Sequence, residues 1–368
     1  MAVFRDWLEL GKSTFSSLKS SEFTNLYSSE WPEARRMLIA EHSDAIEHDG
    51  RRIRRFFRTR SAIMFGLAKR LAPHRRLIFL GTFFWFFLCL FQVFRHNKSL
   101  DVFLLFEMAG AFILMTLLLG MELIDKIKFR DELELARDLQ ANLIPRDLAE
   151  TPEYALAAYN RIANTVGGDI YDFVPLADGR LAILFGDASG HGMAAGLVMA
   201  VAHAAFRTQL DVDPSPAAIV GSLNRILCRT GGTRSFFACC YVLLEPSGAF
   251  SATVAGHPQI IHLSRDGKVI ERVGHGSYPL GVKSGMTWAD ERGTLAFGER
   301  LLLHSDGLTE ARNGDDREFS ESFVETIAGW TPDAAPRALI DTIIGEWNLF
   351  TGGRAPEDDV SIAVVQRR

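Results

Sequence analysis

Val166-Gly167-Gly168-Asp169-Ile170-Tyr171-Asp172-Phe173-Val174 and Leu181-Ala182-Ile183-Leu184-Phe185-Gly186-Asp187, joined through Ala177-Asp178-Gly179, form the stretch that decides the fold. Both arms are short, β-branched and aromatic runs, and an Asp-Gly pair between such runs is a hairpin signal. A three-residue loop with Gly179 left-handed pairs residues whose numbers sum to 356. Asp169 and Asp187 satisfy that sum, so their Cβ atoms should face each other about 5 Å apart. Like charges so placed repel unless something neutralises them, and a divalent cation is the usual answer.

Further strand-like runs follow: Phe236–Leu244, Phe250–Ala255, Gln259–Leu263, Val269–Val273, Leu301–His304 and Val360–Val365. Helical patterns interrupt them at about 192–209, 214–229, 318–329 and 335–349. Many strands in meander order with inserted helices predict an α+β domain of packed antiparallel sheets flanked by helices. Two further acidic sites flank strands. Leu301–Ser305 runs into Asp306-Gly307, and Asp358-Asp359 precedes Val360. In an antiparallel sheet the end of one strand and the start of its neighbour share an edge, so all four sites can converge. An all-oxygen cluster favours Mg²⁺ or Mn²⁺ over zinc. Asp172 is either a solvated strand residue or a carboxylate behind the site. His257 and His275 read as structural.

These segments resemble the SpoIIE/RsbU-type branch of the PPM (protein phosphatase 2C-like) metal-dependent serine/threonine phosphatases. The first motif is Val166–Phe173 and the second Phe185-Gly186-Asp187-Ala188-Ser189-Gly190-His191-Gly192. Ala255-Gly256-His257-Pro258, Pro279-Leu280-Gly281, Ser305-Asp306-Gly307-Leu308-Thr309-Glu310 and Asp358-Asp359-Val360-Ser361 follow in the family's order. The helix from Glu134 to Pro145 is similar to the family's lead-in helix. The resemblance covers about residues 130–366 and implies a β-sandwich with helices on both outer faces. It implies two Mn²⁺ or Mg²⁺ ions, bridged by Asp187, with the carbonyl of Ala188 on one of them. Asp306 and Asp358, and less firmly Asp359, would hold the second ion, and Asp169 the first ion or its waters. Asp172, Gly190, His191, Gly192 and Gly307 would lie behind the ligands or on the substrate side. The implied reaction is in-line attack by a metal-activated hydroxide on phosphoserine or phosphothreonine of a cytoplasmic regulatory protein, such as an anti-sigma-factor antagonist. A receptor or scaffold whose phosphatase-like domain binds a partner without turnover is the alternative. A GGDEF-type cyclase signature does not fit: Ile170 and Tyr171 stand where it needs an acidic residue and Phe.

The N-terminal third has another character. From Arg51 to Arg76 there are ten Lys/Arg and no acid, with apolar residues at helical spacing, as on a membrane surface. Leu77–Phe94 is 18 residues without a charge, about 27 Å as a helix and close to a bilayer's hydrocarbon core. Val102–Gly120 is a second apolar run, broken only by Glu107. Together they predict a transmembrane hairpin over 77–124, after a cytoplasmic region 1–76 and before a linker helix 125–150 and the domain 151–368. Lys/Arg excess on the outer flanks puts both termini in the cytoplasm. Glu107, six residues past Asp101, either faces a partner helix or lies near the membrane edge, the second being the expectation. Within Met121–Leu143, Leu135 and Leu139 lie beside an apolar stripe that either pairs two chains as a homodimer or docks on the domain behind. No zinc spacing occurs among Cys89, Cys228, Cys239 and Cys240, which suits a reduced compartment without disulfides. A net charge of −5 argues against a nucleic-acid partner. Met1–Lys12 lacks the apolar core of a signal peptide.

Overall fold

The computed structural model describes residues 59, 65, 68–69, 71–96, 102–145, 148, 151–190, 192–230 and 235–368. The basic stretch before residue 71 lies almost wholly outside the described residues. Contacts divide the chain into two units, Met1–Ile127 and Lys128–Arg368.

In the first unit, helix α1 (Pro73–His96) and the part of helix α2 (Val102–Ala141) up to Ile127 form a helical hairpin. Its seam is antiparallel. Arg75 pairs with Glu122 at 3.1 Å and Asp125 at 2.7 Å. Phe79 and Leu118 share one buried cluster, and the Trp85 ring fills the space beside Gly110. The Cys89 thiol lies 3.6 Å from Glu107 Oε2, so Glu107 faces across the hairpin. The opposite surface is apolar and exposed, with Leu77, Phe84, Phe91, Phe112 and Leu119 all outward. The apolar run and the linker helix, expected as consecutive pieces, are one helix: nothing between Gly120 and Ala141 breaks it, and the chain leaves it at 142–145, just before the helix-stopping Pro145.

The second unit is a four-layer sandwich. The first sheet has the order β2–β3–β4–β5–β8, made of β2 (Ile170–Pro175), β3 (Leu181–Ala188), β4 (Phe237–Leu244), β5 (Ala249–Ala255) and β8 (Glu291–Thr294). The second has the order β1–β10–β9–β6–β7, made of β1 (Tyr154–Arg161), β10 (Val360–Arg367), β9 (Arg300–His304), β6 (Ile260–Leu263) and β7 (Val269–Val273). Every pairing is antiparallel.

Strand alternation explains why β3 reads as an unbroken apolar run. Its odd residues Leu181, Ile183 and Phe185 meet Leu301, Leu303, Ala363 and Val365 of the other sheet. Its even residues Ala182 and Leu184 pack under helices α3 (Met193–Leu210) and α4 (Pro216–Thr230). A strand buried on both faces has no polar face to show. On the far side, Leu302, Ile362 and Val364 pack under α6 (Glu321–Trp330) and α7 (Pro336–Thr351). A short helix α5 (Asp306–Thr309) follows β9.

Candidate metal-binding carboxylate edge

The hairpin register agrees with the sequence. Ile170 pairs with Gly186 and Tyr171 with Phe185. Gly179 sits at φ 85°, in the left-handed region that a side chain disfavours. Asp169 and Asp187 share the odd, inter-sheet side and stand at the sheet's end. Across the sandwich, β10 pairs antiparallel with β9, Ile362 opposite His304. That pairing sets Asp306, just past β9, beside Asp358 and Asp359, just before β10.

The two pairs share one electrostatic field. Burial raises the Asp187 carboxyl to about 7, helped by the charges of Asp306, Asp358 and Asp359. Burial and then the charge of Asp187 hold Asp169 well above the carboxylate range, while the hydroxyls of Ser361 and Ser305 act the other way. Asp169 is buried, and its Oδ2 has no hydrogen-bond partner.

Close backbone approach shapes the site. A Cβ on Gly168 would lie 2.6 Å from Asp187 Oδ1 and 2.7 Å from the Ala188 carbonyl oxygen. A Cβ on Gly307 would lie 2.2 Å from the Asp359 carbonyl oxygen. Only glycine fits at either place.

Asp359 differs from its neighbours. Its Oδ1 accepts the Ala163 N–H at 2.8 Å, and its Oδ2 accepts those of Gly168 at 2.7 Å and Asp169 at 3.4 Å. A carboxylate engaged by three backbone donors anchors the Asp169 loop to β10, which leaves little for a cation. Asp172 is fully buried on the opposite, helix-facing side of β2. It accepts from Arg207 Nε at 2.6 Å and Nη2 at 2.9 Å, and lies 2.7 Å from His203 Nε2. It is therefore neither solvated nor beside the carboxylate edge; it clamps α3 to the sheet. Gly190 and Gly192, at φ 92° and 67°, shape the turn from β3 into α3; His191 lies outside the described residues. His257 packs edge-on against Phe185, and burial pulls its imidazole down to about 3, so it stays neutral. His275 pairs with Glu291 at the surface.

Two contributors were not anticipated. Ser305 Oγ accepts the Ser361 N–H at 2.9 Å and donates to the Asp359 carbonyl at 3.0 Å, tying the ends of β9 and β10 together. Gln140, buried at the end of α2, bonds both backbone groups of Gly167. A polar residue one turn past Ala136 and three before Leu143, on an otherwise apolar face, was the available signal. Leu133 and Ala136 lie partly covered on that face, whereas Leu135 and Leu139 are exposed.

The residues suit a hard divalent cation. A buried carboxylate oxygen without a donor, an adjacent backbone carbonyl and mutually repelling acids are an oxygen-donor set. Among the described residues, no three Asp, Glu, His or Cys side chains already close around one point. The edge is a set of converging ligands rather than a finished cage.

A sandwich of two antiparallel sheets between helical layers, with acids gathered at one sheet edge, is the PP2C-like fold. The chain belongs to the SpoIIE family: the model described as Stage II sporulation protein E (SpoIIE) matches residues 177–368, just over half of it. Protein IcfG of Synechocystis is 25% identical over 267 residues, covering 65% of this chain and 42% of IcfG. Phosphoserine phosphatase RsbP of Bacillus subtilis is 25% identical over 191 residues, covering 50% of this chain and 47% of RsbP. The match thus spans less than half of either relative. The SiaA-PP2C domain of Pseudomonas aeruginosa superposes with a TM-score of 0.58 at 19% identity, over 66% of this chain and 98% of that one, a likeness of fold.

Proposed function

We propose that this chain is a divalent-metal-dependent protein serine/threonine phosphatase, anchored in the membrane with its catalytic domain in the cytoplasm. The observation that carries the reading is the convergence of Asp169, Asp187, Asp306 and Asp358 on one edge, where burial, and then neighbouring charge, raises both Asp169 and Asp187. Family membership and the phosphoserine phosphatase RsbP among its relatives support it.

Asp187, with the Ala188 carbonyl, and Asp169 would hold one Mn²⁺ or Mg²⁺, and Asp187, Asp306 and Asp358 a second. Such ions, when bound, supply Lewis acidity at the phosphoryl oxygens and an activated water. The chain's own part is to fix the ligands. Gly168 and Gly307 let backbone and carboxylates approach, Asp359 ties the Asp169 loop to β10, and Ser305 sets the spacing of Asp306 and Asp358. The substrate class is a phosphorylated regulatory protein.

The membrane reading rests on the first unit. Phe106–Ala141 contains an 18-residue window of mean hydropathy 1.8, only 11% buried, long and apolar enough to cross a bilayer. The outward Phe and Leu side chains of α1 suit a second crossing.

The test is phosphate release from a phosphoserine protein by the purified full-length chain. Turnover should require Mn²⁺ or Mg²⁺ and stop with EDTA. Undiminished release in excess chelator would overturn the metal mechanism. No release with either ion would favour a binding domain without turnover.

A further inference from the structure

Gln140 stands where the last turn of α2 meets the loop that carries Asp169. It is 4% exposed. Its Nε2 donates to the Gly167 carbonyl at 2.6 Å, and its Oε1 accepts the Gly167 N–H at 3.0 Å. One planar amide thus satisfies both backbone groups of one residue, as a neighbouring strand would; a side chain needs a donor and an acceptor together to do this.

The same loop is gripped from its other side. Asp359 Oδ2 holds Gly168 N–H at 2.7 Å, and a Cβ on Gly167 would lie 2.3 Å from that oxygen. The Gly168 carbonyl accepts the Ala188 N–H at 3.2 Å. The path Gln140–Gly167–Gly168 therefore ends on Asp169 in one direction and on Ala188, next to Asp187, in the other. Beyond the buried Gln140 amide, held at both ends by Gly167, the path runs through backbone, which couples the helix end to the ligand loop. Leu143 and Ile144, just beyond, pack into the domain's two cores, which seats the helix end against the sandwich.

We propose that Gln140 is a positioning residue: through the Gly167 peptide it sets Asp169 and the Ala188 carbonyl at cation-binding geometry, and makes the site's metal affinity depend on how the last turn of α2 is seated. This rests on the metal reading of the carboxylate edge. It gives the helix a defined output, ligand placement, in place of a general docking role. A buried glutamine that served only to satisfy the loop would stabilise the fold and leave metal affinity alone.

The experiment titrates Mn²⁺ into the metal-free full-length chain by calorimetry, for wild type, Gln140→Met, Gln140→Glu and Asp187→Asn. Methionine keeps the size and loses both hydrogen bonds. Glutamate keeps the acceptor for Gly167 N–H and loses the donor. We expect Gln140→Met to raise the Mn²⁺ Kd about 10-fold, the scale seen when a group behind a metal ligand is removed. Gln140→Glu should fall between it and wild type. Saturating Mn²⁺ should restore kcat in both. A wild-type Kd for Gln140→Met would overturn the proposal, as would a kcat that stays depressed at saturation. If Gln140→Met does not fold, Gln140→Glu decides on the same criteria. Asp187→Asn separates the two failures. If it binds Mn²⁺ like wild type, the metal reading itself falls; if it loses Mn²⁺ while Gln140→Met keeps it, only the role of Gln140 falls.

Discussion

Asp187 carries a cost that a cation would remove. Its folded carboxyl titrates near 7 against an ordinary 3.8. The metal-free folded state therefore binds a proton that the unfolded state releases at lower pH. A raised carboxylate pKa contributes stability that is lost as pH climbs from about 4 through about 7. In EDTA, the melting temperature of Asp187→Asn should gain on wild type as pH rises across that window. Equal slopes for the two proteins would refute the assignment. Because cation binding must displace that proton, Mn²⁺ affinity should also weaken as pH falls. Asp187→Asn should lack turnover at every pH. Asp172 makes the opposite case, a carboxylate whose partners are all protein. Asp172→Asn gives up charge-assisted bonds to Arg207 and His203 and should cost about 2 kcal/mol, read as a lower urea midpoint at unchanged m. Its Mn²⁺ affinity should stay within about threefold of wild type, since α3 rather than a ligand loses its tie.

At the scale of elements, the part of α2 past Lys128 presents two faces. One ends in Gln140 and the domain contacts of Leu143 and Ile144; the other shows Leu135 and Leu139, 62% and 63% exposed. Leucines exposed one turn apart on a helix suit a partner helix. Replacing both with Asp should leave the fold intact but lower oligomeric state or alter basal phosphate release, measured by light scattering and turnover in detergent. If neither moves, the stripe is a passive surface. Much of this scaffold could be read in advance, because hairpins announce themselves through turn residues and alternation. The Asp178-Gly179 turn placed β2 against β3 in the correct register. Other elements gave no such signal. β1 (Tyr154-Ala155-Leu156-Ala157-Ala158-Tyr159-Asn160-Arg161) is alanine-rich, and it is a strand because β10 pairs along its full length. β8 (Glu291-Arg292-Gly293-Thr294) is a polar edge strand with one partner. The site divides the same way. Its acids were visible as residue types at strand ends. The anchoring of Asp359 and the grip of Gln140 were not, because their partners are backbone N–H and C=O groups that any sequence carries.

At the scale of the whole molecule, the first unit bears on the proposed membrane anchor. Bare Phe and Leu side chains around an antiparallel helical hairpin suit lipid better than water. The full-length chain should sediment with membranes and need detergent for extraction. A monodisperse protein in detergent-free buffer would refute the anchor. Within the second unit, β1 and β10 lie side by side, Tyr154 opposite Arg367. The strand of this sandwich that comes latest in the chain is thus an interior strand, between β1 and β9. On the ribosome, β1 and β9 have no way to join until Val360–Arg367 has emerged, and Asp358 arrives only just ahead of it. The second sheet can therefore close, and Asp306 and Asp358 can meet, only once β10 is in place. Chains cut short before Val360 should be digested by protease at the second sheet, whereas chains that include Val360–Arg367 should resist.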